Sequence, residues 1–159
     1  MEMEIGTQNT PRTVKLYKLG RAEVAIGALK FQILHRIVIV DDYEDHGASI
    51  DVYGPVDGQE TELIKFDCFE KGPHYHAPAS AAPTELDTRE FGDGLDWALG
   101  VIRDGLPELL SAAGYNELSG TLDRALLAAR WTDVRDAVRA TAPASYDVPA
   151  GVSPIIARV

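Results

Sequence analysis

The run Phe66-Asp67-Cys68-Phe69-Glu70-Lys71-Gly72-Pro73-His74-Tyr75-His76 gathers the chain's single cysteine, two of its four histidines and two carboxylates. Imidazole, thiolate and carboxylate groups are the usual ligands of divalent metals, and they carry protons near neutral pH. His74 and His76 form an H-x-H pair. In extended backbone, residues i and i+2 point to the same side, so both rings can reach one ion. Two neutral imidazoles suit zinc, iron, copper or nickel, and a carboxylate or thiolate can complete the set. Asp67, Cys68, Glu70 and Glu85 are the nearest candidates by position. Two chemical expectations follow. Either His74, His76 and Glu70 bind a divalent metal such as zinc, iron or manganese, or His74, His76 and Asp67 act as general acid and base. In both, Asp67 or Glu70 orients an imidazole or completes the metal shell. A third reading has Pro73-His74-Tyr75-His76 pack its rings on a sheet edge with no chemistry.

Neighbouring positions sort by strand alternation. Cys68 shares a face with Ile64 and Phe66 and is expected to turn into the core as a small buried hydrophobe. Leu63, Lys65, Asp67 and Phe69 share the other face, where Lys65 is the obvious ion-pair partner for Asp67. His35 stands mid-strand among apolar residues and reads as a hydrogen-bonded core histidine, with a third imidazole at the same cavity as its functional alternative. His46, in Asp45-His46-Gly47, reads as a turn residue, and Asp41-Asp42 with Glu44-Asp45 as a solvated turn without calcium-loop spacing. The residues after His76, Ala77-Pro78-Ala79-Ser80, do not follow the cupin arrangement, which places a glutamate shortly after H-x-H. No Walker-type glycine loop, dinucleotide fingerprint, H-E-x-x-H, C-x-x-C pair or G-x-S-x-G occurs.

These side chains must be held by the elements around them. Residues 1–11 are polar and read as a loose leader. Thr13–Leu19 has a strand-forming pattern closed by Gly20, and Glu23–Leu29 fits a short strand or an extended connection. Phe31–Asp41 is apolar on both faces and reads as a central strand covered on both sides. Ala48–Tyr53 alternates, Gly54-Pro55-Val56-Asp57-Gly58 supplies turn chemistry, and Thr61–Phe69 returns as a strand. Residues 70–92 read as one long loop of the kind that forms lids and binding sites. From Asp93, a credible N-cap, Leu95, Ala98, Leu99, Ile102, Leu106, Leu109 and Leu110 recur at helical spacing, with a kink or restart at Pro107. A second helix is expected over Asn116–Arg130 and a third, capped by Thr132, to about Ala140. Trp97 and Trp131 fall on these helices as packing residues. The apolar end Val152-Ser153-Pro154-Ile155-Ile156 could dock on the sheet or on a second subunit.

Strands first and helices after them imply an α+β fold: a curved antiparallel meander of four to five strands with two to three C-terminal helices packed on it. The expected plan is a single domain over 1–159, with sheet over 12–69, loop over 70–92, helices over 93–140 and a tail over 141–159. Its site would lie at the mouth between sheet and helices, under the loop.

Composition limits the partners. A formal charge of −10, from 25 acidic against 15 basic residues, excludes a general phosphate-backbone binder and an anionic membrane surface. No apolar run approaches a membrane span, one cysteine cannot close an internal disulfide, and Met1-Glu2-Met3-Glu4 opens no signal peptide. A cytoplasmic protein is expected. Residues 60–120 resemble a family of small uncharacterised bacterial proteins with an FDCF…PHYH core. Here that core is Phe66-Asp67-Cys68-Phe69 with Pro73-His74-Tyr75-His76, followed by Leu99-Gly100 through Leu106-Pro107-Glu108-Leu109-Leu110 and Ala113-Gly114-Tyr115. The resemblance implies that the histidine pair and the Pro107 kink belong to one architecture, and it implies no activity. The functional expectation is an enzyme acting on a small organic molecule through the H-x-H pair. The alternative is a non-catalytic ligand-binding or homodimeric interaction protein with structural histidines.

Overall fold

A computed structural model describes residues 13–158, so the leader expected over 1–11 lies outside the described residues. Four long strands come first: β1 (Thr13–Ile26), β2 (Leu29–Val40), β3 (Tyr43–Val56) and β4 (Gln59–Phe69). Three short ones, β5 (His74–His76), β6 (Thr84–Glu85) and β7 (Ile155–Arg158), complete an antiparallel seven-stranded sheet of order β6-β5-β4-β3-β2-β1-β7. The helices follow: α1 (Thr88–Phe91), α2 (Gly94–Asp104), α3 (Leu106–Ala112), α4 (Asn116–Thr121) and α5 (Arg124–Thr141). The fold is α+β, with the strands first and the helices in the second half.

Hairpin chemistry sets the meander. Asp57 and Gly58 take φ of 52° and 76°, the paired left-handed conformation of a tight two-residue turn, and join β3 to β4. Gly54 and Pro55, expected in that turn, remain in β3, where a Cβ on Gly54 would stand 2.9 Å from the Leu29 side chain. The charged turn expected over Asp41–Gly47 shrinks to Asp41-Asp42, and Asp45 and His46 lie on β3. Gly20 does not end β1. A bulge between Lys18 and Gly20 carries the strand through, and the missing side chain lets the backbone meet Thr141, whose carbonyl oxygen would lie 2.3 Å from a Cβ.

One apolar cluster joins the sheet to the helices. Phe31, Ile33, Ile50, Val52, Ile64 and Phe66 on the strands are buried against Ala98, Ile102, Leu106, Leu110, Val134 and Val138. Each large aliphatic or aromatic side chain so buried stabilises the fold by about 2 kcal/mol. Strand β2 was expected to be covered on both sides; instead Phe31, Ile33, His35 and Ile37 are buried while their alternates are half-buried. Alternation in β4 places Leu63 with Asp67, but Val52 pairs with Ile64 and Tyr53 with Glu62, leaving Leu63 as the extra residue of a bulge. Leu63 and Ile64 therefore both enter the core, and alternation towards Asp67 starts from Ile64.

The helical half is divided more finely than its periodicity suggests. Asp93 caps α2 as expected, accepting from the Asp96 amide at 3.1 Å, and Pro107 sits in the first turn of α3, where a proline needs no donor. No break occurs at Thr132. The chain breaks earlier, at extended Leu122, and Asp123 caps α5 by accepting from the Leu126 amide at 3.0 Å. The C-terminal apolar segment docks on the sheet, pairing Ile155 with Leu16 as an edge strand. No helix among the described residues is long and apolar enough to cross a membrane.

Candidate metal centre

Residues 70–92, read from sequence as one loop, contain the two short strands that build the site. Strand β5 pairs with β4 so that Asp67 stands opposite His74 and Lys65 opposite His76. The same row continues through Ser49 on β3 and Leu34 on β2. Because alternate residues share a face, Leu34, Arg36, Ser49, Asp51, Lys65, Asp67, His74 and His76 all lie on one side of the sheet. That side is the one turned away from the helices: Phe66 and Tyr75, on the opposite face, pack against Trp97 of α2 at ring separations of 5.9 and 5.1 Å. The expected mouth between sheet and helices is therefore corrected to the other face of the sheet.

Delivery of His74 depends on a residue that its charged context disguises. Asp45 is 2% exposed, and its carboxylate accepts from the amides of Lys71 and Gly72 at 2.9 and 2.8 Å and from its neighbour His46 at 2.9 Å. Those bonds fold the connection between β4 and β5 into a tight turn. Nothing in the run Asp41–Asp45 distinguishes this buried carboxylate from its solvated neighbours.

At the centre, Asp67 is 4% exposed. Its Oδ1 accepts from the Arg36 guanidinium at 2.6 Å and the Ser49 hydroxyl at 3.0 Å, which leaves Oδ2 facing the two rings. His74 Nε2 lies 3.0 Å and His76 Nε2 3.4 Å from that oxygen. Both Nδ1 atoms face backbone carbonyls, Gly72 at 2.9 Å and Ala81 at 2.8 Å. A carbonyl oxygen only accepts, so each Nδ1 carries a proton, and each Nε2 is left facing Asp67, as a donor when it too is protonated and as a lone pair when it is not. Asp67, His74 and His76 offer one ligand atom each, all within 4.8 Å of one another, and this group could hold a metal ion.

The electrostatics match that crowding. Burial by itself raises the Asp67 carboxyl, but the hydrogen bond with His74, the charges of Arg36 and His74, and the Ser49 hydroxyl outweigh it and hold the group well below the usual carboxylate range. His74 moves the opposite way: its bond to Asp67 raises it above an ordinary 6.5 against the effect of burial. Burial, with Asp67 and Asp93 nearby, pushes the Cys68 thiol far up, and the residue packs against the core, as alternation implied. A thiol so held is neither a nucleophile nor a ready ligand at neutral pH.

Other expectations divide. Lys65 is not the partner of Asp67; Arg36 reaches across β3 to take that place. Glu70 lies 2.7 Å from His46 Nε2 and is not brought into the group with His74 and His76. His46 is a strand residue stacked on Tyr146 at 4.4 Å. His35 is the buried, hydrogen-bonded histidine expected, 1% exposed and bonded to the Val138 carbonyl at 2.9 Å and the Tyr146 hydroxyl at 2.8 Å. It faces the helices, on the opposite side of the sheet from the His74 and His76 rings. Sequence reasoning missed Arg36 and Ser49, because only strand register brings them to Asp67.

Neither the curated proteins nor the solved structures hold a match to this chain. A family profile does match, over residues 23–138, and so takes in every residue of the centre described above. The chain belongs to the family of the domain of unknown function DUF7700.

Proposed function

We propose that the protein is a metal-dependent enzyme acting on a small organic molecule, with a divalent cation held by His74, His76 and Asp67. The observation that carries this reading is the convergence of three ligand atoms. Two Nε2 atoms, on rings whose Nδ1 atoms are committed to carbonyls, stand 3.0 and 3.4 Å from one carboxylate oxygen, and a set of this kind is held together by protons or by a cation. Two ligands about 2.1 Å from a common ion, at tetrahedral or octahedral angles, stand about 3.0–3.4 Å apart. The two separations fall within that span. The carbonyls of Gly72 and Ala81 supply the outer hydrogen bonds that metal-binding imidazoles commonly make, and Arg36 and Ser49 do the same for the carboxylate.

Three protein ligands leave positions open, as in catalytic rather than structural centres. His74 and His76 side chains are 22% and 19% exposed, so one side of the group is reached from solvent. Two imidazoles and one carboxylate suit zinc, iron or manganese, and such an ion supplies Lewis acidity or an activated water. Metal-free proton transfer by His74 is less well supported, because both of its ring nitrogens are already engaged.

A second reading rests on the Arg36 contact at 2.6 Å and on the raised His74. Arg36, Asp67 and a protonated His74 then form an ion network that ties β5 to β4, in a protein that binds a ligand or a partner without catalysis. Metal analysis separates the two. Protein purified without an added histidine tag, stripped with chelator and reloaded with zinc, iron or manganese, is expected to hold one ion per chain. The His74→Ala/His76→Ala variant is expected to hold none. Failure of the wild-type chain to retain any of the three ions, with the variant losing several degrees of thermal stability, refutes the metal centre and supports the network.

A further inference from the structure

Two strands from Asp67, on the same face of the sheet, the bulge in β1 opens a cavity of about 430 Å³ against β2 and β3. Its polar lining is Lys18, Arg21, Gln32, Arg36 and Asp51, and Leu34 and Ile155 contribute apolar walls. Three cations against one carboxylate is the reverse of a chain whose formal charge is −10. Among the described residues, neither Lys18 nor Arg21 stands in an ion pair, whereas Arg36 is held by Asp67. Asp51 faces the cations from β3, and among the described residues its buried Oδ1 has no hydrogen-bond partner. A buried acceptor left open is costly, and a donor brought to this carboxylate offsets part of that cost.

We propose that this cavity binds a small organic acid that also carries a hydroxyl or amino group. The carboxylate would sit between Lys18 and Arg21, the donor would meet the Asp51 carboxylate, and the hydrocarbon portion would lie on Leu34 and Ile155. The inference names the substrate class of the proposed metal-dependent enzyme and rests on that reading for its catalytic meaning, but the binding itself needs no metal. With adjacent strands about 4.8 Å apart, a ligand over β2 lies about 10 Å from Asp67, so an extended acid can reach towards the centre along the sheet. Arg36 links the two places, because it lines the cavity and its guanidinium touches Asp67.

The test is an amide NMR titration of chelator-treated full chain with α-hydroxyhexanoate, with hexanoate and hexylamine as comparisons. The expected result is saturable shifts at Gly20, Arg21, Gln32 and Asp51 with α-hydroxyhexanoate, weaker binding of hexanoate and none of hexylamine. The Lys18→Gln/Arg21→Gln variant, altered only at exposed positions, should bind about tenfold more weakly. Asp51→Ala, which removes the acceptor, should erase the preference for the hydroxy acid over hexanoate. Equal binding of hexylamine, an unchanged affinity in the double variant, or no saturable shift in protein that still takes up metal, overturns the inference alone. Saturable acid binding in protein that takes up no metal supports the cavity and refutes only the metal centre.

Discussion

Replacing Asp67 by Asn tests the charge arrangement without changing the shape of the side chain. Asp67 is 4% exposed and the Arg36 side chain 16%, so the substitution leaves a guanidinium beside a neutral amide in a place water reaches poorly. Breaking a fully buried pair from one side costs about 3–5 kcal/mol, and the partial exposure of Arg36 reduces this to about 2–3 kcal/mol. For a chain of this size that is about 5–10 °C in Tm. The dependence on pH is the sharper signature. The Asp67 carboxyl is lowered on folding, so its contribution is present above the unfolded carboxylate value and is lost as pH falls through the folded one. His74 is raised, so its contribution is full below 6.5 and is lost as pH rises through its folded value. The stability difference between wild type and Asp67→Asn should therefore pass through a maximum between about pH 4 and pH 6.5 and decline on both sides. Urea unfolding of chelator-treated proteins from pH 2.5 to pH 9 measures it. A difference under about 0.5 kcal/mol, or one that stays flat across that range, refutes the ion network around Asp67.

Two further substitutions probe the surroundings. Gly20→Ala places a Cβ 2.3 Å from the Thr141 carbonyl oxygen, so β1 and the end of α5 must part; a loss of about 1–3 kcal/mol is expected by chemical denaturation, and an unchanged midpoint would show that this close approach is absent in solution. Burial raises the Asp51 carboxyl from 3.8 to about 6 against the pull of Lys65, so the group opposes folding increasingly as pH rises between those values, by up to about 3 kcal/mol. Asp51→Asn should accordingly stabilise the chain at pH 8 and not at pH 3.5, and a carboxyl that titrates near 4 by carbon NMR contradicts this.

What was legible from the residues follows from how locally each feature is determined. The H-x-H pair and the face of Cys68 depend only on two-residue alternation within one strand, and both read correctly from the sequence. The N-cap at Asp93 and the restart at Pro107 are equally local, since a side chain and the backbone within one turn settle them. Asp67 could be placed on its face, but not Arg36 or Ser49 beside it, because their approach depends on β2, β3 and β4 pairing in one register. That register contains a bulge at Leu63, which periodicity alone reads as a change of face. The strands β5 and β6 escaped for a similar reason: three residues and two carry no period, and their extended backbone is held by pairing with β4 and by the turn that Asp45 ties. The long loop expected over 70–92 was therefore the part of the chain whose structure is imposed from outside. It is also where His74 and His76 stand, so the ring positions owe more to Asp45 and Asp67 than to the residues between them. A variant at Asp45 should consequently disturb His74 more than a change at Tyr75, which packs on the opposite face against Trp97.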